Sequence, residues 1–149
     1  MSTPTTGDTL ATHTFKVQLG GIQVETVQEV SGLSMELDTI DIVQVNAQGK
    51  LIIRKLPGAR KGGEVTITRG MDKAGSFTDW IKQTFENGDV SAARQQLSII
   101  FTDAKGQQDR TINLKNAWAS KWEGPSLKAG DGQPALEKVT IVFEDIEFQ

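Results

Sequence analysis

Apolar and polar residues alternate along most of this chain with the period of two that a half-buried strand requires. Phe15, Val17 and Leu19 share one face while Lys16 and Gln18 take the other. Gly20-Gly21 marks a turn, and Ile22, Val24 and Thr26 predict the return strand. Val30 opens another segment, and after Gly32 the positions Leu33, Met35 and Leu37 alternate with Ser34, Glu36 and Asp38. Further on, Leu97, Ile99 and Phe101 alternate, a turn falls at Asp103 to Gly106, and Ile112 and Leu114 answer from the next strand. Trp118 and Trp122 are expected on one face of the strand that follows. Val139, Ile141 and Phe143 form the last clear alternation, before Ile146 and Phe148 continue the apolar series out of phase.

One stretch breaks the one-sided rule. In "TIDIVQVNAQGKLIIRKLPG", two β-branched runs flank Asn46 to Lys50, predicting a hairpin with a loop longer than two residues. Ile40 and Ile42 lie opposite Val43 and Val45, and Ile52 lies opposite Leu51 and Ile53. A hairpin apolar on both faces cannot leave one of them in water. Its second face must meet either its own domain or another chain. The stretch "PGARKGG", Pro57 to Gly63, reads as a basic glycine-rich loop leading into a strand at Val65 and Ile67.

The period changes from two to 3.6 once. Phe77, Trp80, Ile81 and Phe85 make an apolar stripe, with Ser76 at the expected N-cap, Asp79 three residues on, and Asn87-Gly88 as the stop. These signals predict one helix over about residues 76–87, packed on a sheet through those four side chains. About ten short strands and a single helix place the chain among mainly β folds, a β-sandwich or barrel with one flanking helix. No internal repeat or shift of composition divides it, so residues 13–149 read as one domain behind a flexible arm at residues 1–12.

Composition removes several chemistries. A chain of 149 residues without cysteine has no disulfide or thiolate metal site. Its net charge of -3, from 16 basic and 19 acidic residues well mixed, argues against a dedicated nucleic-acid surface. No apolar run approaches the length of a membrane span, and "MSTPTTGDTLATHT" has neither the basic nor the apolar region of a secretory signal. The expected setting is therefore soluble and intracellular, or exported without a cleaved leader.

Candidate active-site chemistry is sparse. His13 is the single histidine, which excludes a multi-histidine metal site and leaves little room for a histidine-dependent triad. "GARKGG" lacks the order of a phosphate-binding loop and opens no helix. Glu36, Asp38 and Asp41 suggest paired carboxylates for glycoside hydrolysis, but acids on an exposed strand face need no such explanation. "DAKGQQD" lacks the ligand order of a calcium loop. Trp118 and Trp122 suggest a stacking platform for sugar or single strands, against the plainer reading of core or interface packing. Arg54, Lys55, Arg60 and Lys61 make the one basic cluster, read as solvated or subunit-contacting. No catalytic, cofactor or metal site is expected.

Three stretches, in order, resemble the tube protein family of contractile phage tails and related injection systems. They are "FKVQLGGIQVETVQEVSGLSME"; "LPGARKGGEVTITRG" with the Trp80 helix after it; and "NAWASKWEGPSLKAGDGQPALEKVTIVFEDIEF", with Asn116-Ala117-Trp118, Leu127 and Glu137. The resemblance spans roughly residues 13–147 and departs at Glu144-Asp145-Ile146, where such proteins often carry a histidine-containing turn. It implies a structural subunit without enzymatic activity or cofactor. Such subunits form hexameric rings that stack into a hollow tube, with sheath, baseplate and tube-initiator proteins as partners and cargo protein or DNA in the lumen. It also implies assembly in the bacterial cytoplasm and no stable membrane insertion. In this frame the hairpin residues Asp41, Val43, Val45, Asn46, Gln48, Lys50, Ile52 and Arg54 face a subunit interface or the lumen, and Pro57, Arg60 and Lys61 lie in an inter-ring loop. The alternatives are a secreted ring protein of type VI secretion and a monomeric ligand-binding module.

Overall fold

The structure, a computed structural model, describes residues 15–24, 26–71, 75–102, 107–130 and 132–149. His13, the arm at residues 1–12 and the turn at 103–106 lie outside the described residues. The elements run β1 (Phe15–Leu19), β2 (Ile22–Val24), β3 (Val27–Val45), β4 (Leu51–Gly70), α1 (Ser76–Phe85), α2 (Val90–Ala93), β5 (Gln95–Thr102), β6 (Gln108–Glu123), β7 (Leu136–Phe143) and β8 (Asp145–Phe148). The strands form one antiparallel sheet ordered β2-β1-β5-β6-β7-β4-β3, with β8 paired to β6. The fold is thus mainly β with a flanking helix, as the alternation implies.

The sheet folds back on itself through β6. Its first part pairs with β5 and β8, and the stretch from Trp118 to Glu123 pairs with β7. Between them Asn116 adopts a left-handed backbone, φ 54°, and its side-chain amide donates to Glu144 Oε2 at 3.0 Å. That corner lets the two halves enclose a core of Val17, Leu97, Leu114, Val65, Ile67, Val139 and Ile141, all nearly inaccessible. α1 closes one side of it.

Four expectations need correction. Pro57 to Gly63 is not a loop: β4 runs unbroken through it, with Thr39 opposite Pro57, Leu37 opposite Arg60 and Glu36 opposite Lys61. The glycines serve close approach, since a Cβ on Gly63 would overlap the Phe143 ring and the Ser34 carbonyl oxygen. Ser76 is not the N-cap; Gly75 is, and it has no side chain with which to cap that end. Phe85 does not pack. It is 50% exposed while Phe77, Trp80 and Ile81 are buried, because at 3.6 residues per turn it lies about 80° round from Phe77. Thr84 holds the stripe's centre instead, with its hydroxyl buried and unpartnered.

The fourth concerns the tryptophans. A register shift between Ala119 and Lys121 sets Trp118 opposite Val142 but Trp122 opposite Val139. Cross-strand partners share a face and successive residues alternate, so the two rings lie on opposite faces and form no joint platform.

A protruding ribbon as candidate assembly surface

β7 accompanies β4 only from Gly63 to Gly70. Beyond Gly63 the outer half of β4 pairs with β3 alone, and β3 is the last strand of the sheet. Residues 34–62 therefore leave the body as a two-stranded ribbon. Its end is well fixed: the Asn46 side chain accepts from the amides of Gln48 and Lys50, each at 3.0 Å, and Gly49 takes the positive φ of 78° that the turn needs.

Register sorts the ribbon's faces. Leu33 and Met35 pack against the core, and the same face continues outward as Leu37/Arg60, Asp41/Lys55, Val43/Ile53 and Val45/Leu51. At the tip Val43, Val45, Leu51 and Ile53 are 64%, 63%, 75% and 66% exposed. The other face carries Ile40/Leu56, Ile42/Arg54 and Gln44/Ile52; Ile40 and Leu56 are exposed, Ile42 and Ile52 half-buried. Both faces of the ribbon carry apolar side chains, and among the described residues neither edge is paired outward. An unpaired edge is a template for another strand, and an isolated two-stranded hairpin is at best marginally stable in water.

Ion pairs stiffen it. Lys55 meets Asp41 at 3.1 Å and Lys61 meets Asp38 at 3.1 Å; the hydrogen bond to Asp38 and its charge raise the Lys61 pKa. Arg60 Nη1 reaches Asp145 Oδ1 at 2.5 Å, tying the ribbon's base to the start of β8. The Asp145 carboxyl is held below its usual value, first by accepting the Ile146 amide and then by Arg60. Of the three acids considered for catalysis, Asp38 and Asp41 are thus both paired with lysines, and Asp41 projects from the opposite face to Glu36 and Asp38.

The body holds a constellation that inspection of the sequence missed. Arg69 of β4 and Glu137 of β7 are cross-strand partners, 2% and 4% exposed, bonded Nε to Oε1 at 2.7 Å. Trp122 Nε1 donates to the other oxygen of Glu137 at 2.7 Å, and the guanidinium sits 4.9 Å above the Phe77 ring. The signal was parity: Val65-Ile67-Arg69 and Glu137-Val139-Ile141 each put a charge at the next inward position. Nearby, Trp80 Nε1 donates to the Ala93 carbonyl at 2.5 Å and fixes α1 to α2. Between α1 and the β1–β2 hairpin lies a groove of about 320 Å³, walled by Leu19, Ile22, Val24, Phe77 and Trp80. Among the described residues no His, Cys, Asp or Glu cluster fits a metal, and no helix is long and apolar enough to cross a membrane.

The class defined by this geometry is a folded antiparallel β domain with an overhanging ribbon, and solved tube structures share it. The chain belongs to the family of the T4-like virus tail tube protein gp19, whose family model matches residues 11–147. It is a tail tube protein, of the kind found in contractile phage tails and injection systems. Its fold superimposes with a TM-score of 0.77 and 23% identity on a chain of the extracellular contractile injection system PVC sheath–tube complex in the extended state, covering 99% of each chain. A chain of the anti-feeding prophage cap, the AFP tube terminating cap, gives 0.77 and 23%, over 99% of this chain and 95% of that one. Hcp1 from Flavobacterium johnsoniae is more distant, at 0.57 and 15%, over 91% and 94%. Comparison with curated protein sequences returns no match.

Proposed function

We propose that this chain is the repeating unit of a hollow inner tube, in which six copies close into a ring and rings stack within a contractile sheath. The ribbons of successive copies join edge to edge into one continuous wall around a lumen that passes cargo protein or DNA. The observation that carries this reading is the ribbon itself, preorganised at its turn, apolar on both faces and unpaired along both edges. Burying each tip side chain contributes roughly 1.5–3 kcal/mol, and pairing each edge satisfies backbone groups otherwise left to water. Asp41, Val43, Val45, Asn46, Gln48, Lys50, Ile52 and Arg54 are assigned to these subunit contacts and the lumen wall, and Pro57, Arg60 and Lys61 to contacts at the ribbon's base between subunits or rings. The chain acts by polymerising, with no catalytic role. Assembly takes place in the bacterial cytoplasm, with sheath, baseplate and tube-initiator proteins as partners.

Negative-stain electron microscopy across a concentration series tests the reading. Rings or tubes of uniform width are expected, and their loss in Val43→Lys with Ile53→Lys, in a protein that still folds, would tie them to the ribbon. Uniform single particles at every concentration would count against it. The role at the ribbon's base fails if Arg60→Glu with Lys61→Glu leaves assembly untouched.

A further inference from the structure

Taking the tube reading as its premise, we infer that the apolar tip of one copy's ribbon docks in the groove beneath α1 of the next copy. Each copy carries both a knob and a socket. The knob is the cross-strand quartet Val43/Ile53 and Val45/Leu51, all on one face and more than half exposed. The socket is the groove of about 320 Å³ whose apolar walls are Leu19, Val24, Phe77 and Trp80, with Ile22 at its rim and 58% exposed, and whose lining also includes the polar side chains of Gln23, Asp79, Gln83 and Gln95.

The two features cannot meet within one chain. β2 leads into the base of β3, but the tip lies at the far end of that strand. At roughly 3.3 Å per residue, the stretch from Met35 to Val45 carries the tip about 30 Å past the last ribbon residue that touches the core. A knob and a socket at different places on one surface make a head-to-tail contact, which closes into rings or propagates as a filament. Charge agrees with the fit: Lys50 lies at the tip beside Leu51, and Asp79 stands exposed on the groove's lip. Docking covers the exposed quartet and the exposed Ile22, and the ribbon needs no rearrangement to enter because its turn is already fixed by Asn46.

The absence of native cysteine makes the test direct. Two single variants, Leu51→Cys and Ile22→Cys, replace exposed side chains and are mixed, concentrated and treated with a short bis-maleimide while assembly is followed by microscopy. A covalent dimer in the mixture, absent from either variant alone, is expected. Lys50→Glu should reduce its yield several-fold, and adding Asp79→Lys to the partner should restore it. Rings or tubes without a mixed dimer overturn the docking and leave the tube reading standing. A solution that stays monomeric to millimolar concentration, with no mixed dimer, overturns the docking and takes the tube reading with it.

Discussion

β4 carries two cross-strand ion pairs of the same geometry on the same face, and they live in different worlds. Arg69 faces Glu137 at 2% and 4% exposure, while Lys55 faces Asp41 at 70% and 57%. The inner half of β4 is finished by its own chain, with β7 beside it, α1 above it and Trp122 on the spare carboxylate oxygen. The outer half keeps the same inward face but has nothing of its own to cover it. One strand thus serves as core and as unsatisfied surface, and the changeover falls at Gly63, where β7 turns away.

The largest effect is expected where the chain completes itself. Glu137→Ala removes the carboxylate that the buried Arg69 guanidinium and the Trp122 N–H share, and should cost about 3–5 kcal/mol of folding stability, read by urea unfolding. Replacing the pair together, Arg69→Met with Glu137→Leu, should recover most of that loss, because neither member then keeps its charge without the other. If the double variant is no better than the single one, the ion pair contributes more than mutual compensation. Gly63→Ala comes next. Its methyl meets the Phe143 ring and the Ser34 carbonyl, so overpacking should cost about 1–3 kcal/mol.

The ribbon should behave in the reverse sense. Leu51→Ser with Ile53→Ser removes side chains that touch little in the free subunit, so its stability should stay within about 0.5 kcal/mol per site. Assembly should nonetheless be lost in the same microscopy series. A large fall in monomer stability would mean the ribbon is covered by its own chain and would erase the contrast. Lys55→Gln should also be mild, about 0.2–1 kcal/mol on folding, beside the several-fold larger cost of breaking the matching pair at Arg69.

Alternation made the strands of the body legible, because each has one wet face. The ribbon was legible as an anomaly: two apolar faces in one hairpin, with the turn correctly placed at Asn46 to Lys50. The stretch Pro57 to Gly63 was misread because glycine marks both turns and close approach, and only the Phe143 ring across the sheet distinguishes them. The tryptophan faces depended on one bulge near Ser120, which parity counted from Trp118 cannot foresee. Arg69 and Glu137 are 68 residues apart, so the charge at each inward position looked like a strand end. α2, a single turn capped by the Asp89 carboxylate on the Ala92 amide, is too short for any periodicity to show.

The smallest expected effect concerns pH at the ribbon's base. Asp145 has a lowered pKa, through the Ile146 amide and then Arg60, so its contribution is complete above the ordinary carboxylate range and is lost as pH falls through the depressed value. Lys61 has a raised pKa, through its hydrogen bond to Asp38 and the charge of Asp38 and Glu36; its contribution is complete below the ordinary lysine value and is lost as pH rises through the raised one. The ribbon's base should therefore be most firmly held across the neutral range and loosen at both extremes. Amide exchange along residues 34–38 reads this directly: protection should fall at acid pH in the native chain and lose that acid dependence in Asp145→Asn. Were protection independent of pH in both, the ribbon's angle would be set by the continuous β3–β4 pairing alone, with Arg60 and Asp145 as bystanders.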